Sequence, residues 1–179
     1  MFWLDEVRAH LKRRNRILFS KDCELLRPLA EELSTATHLA AALWALDFAR
    51  QIADELARRY PADSRPLDAV EGARAWAAGK IKMPLAQRLI LDCHAMAKEL
   101  DDAADAALCH AVGQACAVVH TAGHALGLPM YELRAIVYRL GVDNCAQAVE
   151  ARAAEYCDRL AFWKVHEQDY AESIPAWLK

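Results

Sequence analysis

This 179-residue chain has only six glycines, six prolines and 8% aromatic residues, and it shows no run of about 20 apolar residues such as a membrane-spanning helix requires. No linker, low-complexity tract or convincing strand pair appears. No glycine-rich phosphate loop, nucleophile elbow, kinase-like signature or His-Glu-x-x-His motif occurs, so the familiar routes to nucleotide, acyl-transfer and zinc-hydrolase chemistry have no foothold. The six cysteines include no Cys-x-x-Cys pair and are scattered through segments that read as helical. They are expected to be reduced, buried thiols that pack as small hydrophobes. A signal peptide would need an unbroken apolar core, and Asp5, Glu6 and Arg8 interrupt the first helix, so the expected compartment is the cytoplasm.

What the chain has in abundance is alanine, 37 residues of it, the best intrinsic helix former. A hydrophobic content of 55% with 26% charged residues suits one buried core, and the expected fold is all-α: a single-domain bundle of about six to eight helices. The net charge of −3 and pI near 6.2 disfavour nucleic-acid or anionic-membrane partners. The basic run Lys12-Arg13-Arg14-Asn15-Arg16 reads first as a solvated helix face, with contact to an acidic partner as the sharper alternative.

Punctuation along the chain sets the expected helices. A first runs from about Phe2 to Arg14, and a short second carries Leu25 to Leu33, kinked or delayed by Pro28. Ser34, Thr35 and Thr37 are candidate caps for a long helix that ends at Pro61; Ser64 can cap the next, which closes at Gly79. Pro84 opens another, Asp101 or Asp102 starts a long segment through Leu126, and Gly127-Leu128-Pro129 separates it from a helix closed by Gly141. Asp143 is then expected to cap a final helix to about Asp169, with Ser173 to Leu178 as a docking tail.

Two constellations could carry chemistry. On a helix continuous through Leu126, Cys109, Gly113, Cys116, His120 and His124 fall on one stripe, and histidines four residues apart can share a metal ion. His94, His110 and Cys93 could complete a zinc-like set with His120, His124 and Cys116. The competing interpretation is that these histidines fill gaps between closely packed helices, aided by Gly113, Ala117 and Gly123. The second constellation is Asp63, Arg65, Arg74 and Trp76 with Trp44: either a corner in which Arg74 pairs with Asp47, or a binding surface built on Trp and Arg. Neither contains a convincing catalytic set, and no catalytic residue or cofactor is expected. Trp163 and Trp177 are candidates for a homodimer contact.

In order along the chain, Trp44-Ala45, Tyr60-Pro61-Ala62-Asp63-Ser64-Arg65-Pro66, Arg74-Ala75-Trp76-Ala77-Ala78-Gly79, Cys93-His94-Ala95 and His120-Thr121-Ala122-Gly123-His124-Ala125 resemble the Imm-5-like immunity proteins, a family of compact helical bacterial proteins. The resemblance runs from about His38 onward, which divides the domain into variable N-terminal helices (1–36) and an Imm-5-like core (37–179). It implies a non-catalytic partner of a protein toxin, and marks Trp44, Asp63, Arg65, Arg74, Trp76, His94, His120 and His124 as signature positions without assigning them a reaction. The alternative is a small metal-binding protein or metal-dependent enzyme built on His94, His120 and His124. If a toxin is basic, Glu31, Glu32, Asp54, Glu55, Asp101, Asp102 and Asp105 are the acidic positions that could face it.

Overall fold

The computed structural model describes residues 2–173, and in them every regular element is helical. Eight α-helices follow in order: α1 (Phe2–Lys12), α2 (Arg27–Thr35), α3 (His38–Arg59), α4 (Arg65–Ala77), α5 (Met83–Met96), α6 (Ala103–Ala117), α7 (Gly127–Leu140) and α8 (Ala146–His166). Short 3-10 turns at Glu24–Leu26, Ala122–His124 and Glu167–Ser173 complete the regular elements of the described residues. None of the described helices is long and apolar enough to cross a membrane. The expected tail beyond Ser173, with Trp177, lies outside the described residues.

Helix α6 is the axis of the bundle. It packs against α3, α4, α5 and α7, and its buried residues Ala104, Ala107, Leu108, Cys109, Ala111, Val112, Ala115 and Cys116 point in all directions. A helix apolar on every side is one that must be surrounded. Small residues let the neighbours approach closely, so the alanine richness of the chain serves packing as well as helix propensity. Helix α8 lies across α3 and α7, and α2 in turn lies against α8. Trp3 of α1 donates from Nε1 to Glu150 of α8 at 3.2 Å, which seats the N-terminal helices on that side.

Helix ends follow local chemistry where the side chains are unclaimed. Thr37 accepts from the Ala40 amide, and Asp102 accepts from the amides of Ala104 and Asp105, so each satisfies donors that a helix start leaves open. Pro28 does not delay α2 but stands in its first turn, where its missing N–H costs nothing. Gly79 and Gly141 adopt φ of 71° and 77°, the left-handed conformation that ends α4 and α7. Ser64 instead spends its hydroxyl on Asp68, and Asp143 does not cap α8 because it is drawn to Arg8 at 3.0 Å.

A buried aromatic and ionic group locks α3 to α8 and α7. Trp44 is fully buried, donates to the Tyr156 carbonyl at 3.0 Å and meets Phe48 and Tyr156 edge-on. Glu132 accepts from the Tyr156 hydroxyl and from Arg152, whose guanidinium lies 4.6 Å from the Phe48 ring centre. All six cysteines are free thiols, and only Cys157 is partly exposed.

Candidate functional site

The expected helix through Leu126 stops at Ala117. Beyond it the chain turns, Thr121 is extended (φ −150°, ψ 99°), and Ala122–His124 forms a separate 3-10 turn. A distant residue supports the break: His38, at the start of α3, donates from Nε2 to the Val118 carbonyl at 2.6 Å. A helix end exposes carbonyls, and this donor satisfies one of them. The stripe that would have aligned Cys109, Cys116, His120 and His124 therefore does not exist; Cys109 and Cys116 stay on α6, while His120 and His124 follow its end.

The histidines come together in pairs instead. His94 of α5 and His110 of α6 meet through their Nδ1 atoms at 2.9 Å, which requires one ring to carry the shared proton and the other to accept it. The far side of the His94 ring rests on Gly113: a Cβ placed there would lie 2.4 Å from Nε2. His110 leans on Tyr131 of α7, ring centres 5.1 Å apart. His124 donates from Nδ1 to Gln114 at 2.9 Å. His120 sits with its ring edge to Trp76, centres 5.8 Å apart, and its Nδ1 is buried without a hydrogen-bond partner.

Burial governs the charge state of this cluster. It lowers His94 to about 4, helped by the neighbouring His110, His124 and Lys98. Burial likewise lowers His110, beside Arg134 and Lys98, and His120, beside His124 and His38. The Cys116 thiol, wholly enclosed, is pushed up to about 12. At neutral pH these rings are uncharged and the thiol is protonated, the states that suit an interior.

Among the described residues no three His, Cys, Asp or Glu side chains converge on a point that could hold a metal ion. His94 uses Nδ1 on His110 and turns Nε2 to Gly113, and His124 uses Nδ1 on Gln114. Of the donor set His94, His120, His124 and Cys116, His94 and His124 spend Nδ1 on His110 and Gln114, while His120 and His124 meet ring to ring with centres 6.3 Å apart.

At the second constellation, Asp63 accepts from the Arg65 amide at 3.1 Å, and its carboxylate also takes the Arg65 guanidinium. Arg65 reaches on to Glu99 at 2.6 Å, so it clamps the start of α4 to the end of α5. Asp63 and Glu99 are both held below the usual carboxylate range by hydrogen bonds from that guanidinium. Arg74 does not pair with Asp47, which is occupied by Arg159 and by Trp163 Nε1 of α8. Instead Arg74 is exposed on a groove of about 560 Å³ that is also lined by Leu43, Leu46, Lys80, Trp163 and Tyr170. Trp44 belongs to the core rather than to any surface, and Trp76 is half-buried against His120.

The acidic positions are largely spoken for. Glu32 pairs with Lys164, Asp54 with Arg50, Glu55 with Arg139 and Asp102 with Arg59. Asp105 is fully buried, where it accepts from Tyr60 at 2.6 Å and meets Arg139 at 2.6 Å and Arg59 at 3.0 Å. Sequence reasoning missed this role because Asp105 in the first turn of a helix reads as acidic initiation. Its helical neighbours Ala104, Ala107, Leu108 and Cys109, all apolar, were the available signal.

No curated protein and no solved structure matches the chain. The family model described as Imm-5 like putative immunity protein matches residues 31–160. That span takes in α3 to α7 and most of α8, with the Arg65 clamp, the histidine pairs and the Trp44 core. The chain belongs to the Imm-5-like immunity family.

Proposed function

We propose that this protein is a bacterial cytoplasmic immunity protein that neutralises a cognate toxin by direct contact, without catalysis. The observation that carries the proposal is the family match over residues 31–160. The geometry agrees with a binding role: His94 and His124 spend Nδ1 on His110 and Gln114 in contacts between packed elements. A standard interface buries roughly 800 Å² on each partner, a small part of the 9225 Å² surface. Co-expression with a candidate toxin tests the proposal in cells. The chain is expected to restore growth in proportion to its own expression; growth arrest unchanged at saturating expression would refute it.

A further inference from the structure

We infer that the loop after α1, together with the half-buried edge of α7 at Met130, Tyr131 and Arg134, forms a docking face for an acidic, apolar-tipped segment of a protein partner. The inference rests on the immunity reading for the identity of that partner, and adds where it binds and what chemistry it presents.

The basic run is not a helix face. Helix α1 ends at Lys12, and the chain turns back through hydrogen bonds from the Arg13 amide to Ala9, from Arg14 to Leu11 and from Asn15 to His10. Arg14 has φ of 56°, a left-handed conformation that a non-glycine residue holds only where its surroundings demand it. The demand is visible: His10 donates from Nδ1 to the Leu18 carbonyl at 2.9 Å, and Leu18 and Phe19 are buried. The loop is therefore pinned from below while Lys12, Arg13, Arg14, Arg16 and Ile17 project into solvent.

These cations have no ion pair among the described residues, in contrast to Arg8, Arg50, Arg59, Arg65, Arg139, Arg152 and Arg159, which all do. Arg16 and Ile17 share a small hollow with Met130, Tyr131 and Arg134 of α7, and no carboxylate lines it. Tyr131 leads on to His110, where the charges of Arg134 and Lys98 are both felt. A cationic rim around Ile17, Met130 and Tyr131 suits a segment that offers carboxylates around an aliphatic or aromatic tip, since such interfaces gain steering from charge and affinity from a buried anchor. A nucleic acid suits it less, since the whole molecule carries −3. The loop lies before residue 31, outside the family match, whereas α7 lies inside it. Partner choice would thus be set by joining a segment beyond the family core to a shared helix.

The test uses a random copolymer of glutamate and tyrosine as probe on the full chain, with single-stranded DNA of matched charge as the competing probe. Hydrogen exchange is expected to slow at residues 12–18 and 130–134 on addition of the copolymer. Arg13→Glu/Arg14→Glu/Arg16→Glu is expected to weaken copolymer binding roughly tenfold, against less than about twofold for Arg58→Glu/Lys80→Glu/Lys82→Glu, with thermal unfolding as the control for folding. Equal losses in the two variants, protection confined elsewhere, or tighter binding of the DNA would overturn the inference. With the toxin itself, neutralisation that survives the loop reversal intact would remove this docking face and leave the immunity function standing. Localised copolymer binding without any toxin neutralisation would do the reverse.

Discussion

Replacing Gly113 by alanine separates two opposed effects and so tests the packing of the histidine cluster sharply. Within an exposed helix the change is stabilising by roughly 0.5–1 kcal/mol, because alanine loses less backbone entropy than glycine. Here the new methyl would lie 2.4, 2.5 and 2.9 Å from Nε2, Cε1 and Cδ2 of His94, far inside contact distance. The ring cannot swing away freely, since its other edge is bonded to His110 at 2.9 Å. Overpacking of this kind costs about 1–3 kcal/mol, and loss of the histidine bond about 1 kcal/mol more. Set against the helix gain, the net is a destabilisation of about 2 kcal/mol, which for a domain of this size lowers the melting midpoint by roughly 4–8 °C. Urea unfolding followed by helical circular dichroism reads it directly, with the slope unchanged and the midpoint lower. His94→Ala should relieve the clash, so the double variant is expected to lose less than the sum of the singles. A Gly113→Ala protein as stable as the parent would refute this account of why His94 sits where it does.

Three further outcomes are expected. Acid should destabilise the fold: His94, His110 and His120 all have folded pKa values below their ordinary range, so the stability they confer is complete above about pH 6.5 and is lost as pH falls below it, toward about 4 for His94. Denaturation midpoints at pH 7 and pH 5 should differ, and His94→Gln should reduce the difference; a flat profile would contradict the assigned charge states. Asp105→Asn leaves Arg59 and Arg139 facing a neutral group in a buried site and should cost roughly 2–4 kcal/mol in urea unfolding, a loss under 1 kcal/mol showing that the network is slack. Trp44→Phe removes the donor to the Tyr156 carbonyl and leaves a buried acceptor unpaired, for an expected loss of about 1–3 kcal/mol measured in the same way; no change would mean that the bond is dispensable.

How far the fold could be read from the sequence depended on whether the deciding contact was local. Gly79, Gly141, Pro84, Thr37 and Asp102 end or begin helices through their own backbone or the next few amides, and these boundaries were legible. The end of α6 was not, because its support comes from His38, eighty positions earlier, and apolar Val118-Val119 continues the helical pattern past the break. Asp143 is a plausible cap until Arg8 of α1 claims it, and Asp47 is a plausible partner for Arg74 until α8 brings Arg159 and Trp163. The histidines were legible as a group, since they do gather beside α6, but not in their pairing, which depends on which ring faces which across α5 and α6. The basic loop shows the same limit from the other side: its charge is plain in the sequence, and its departure from the helix at Arg14 is not.

The most direct test of the central claim is a titration of the purified toxin with this protein, reading toxin activity and complex formation together. The account predicts that activity falls in step with formation of a stoichiometric complex, and that Gly113→Ala, if folded, inhibits as well as the parent. Toxin activity that persists in the presence of a large excess of folded protein, with no complex formed, would contradict it.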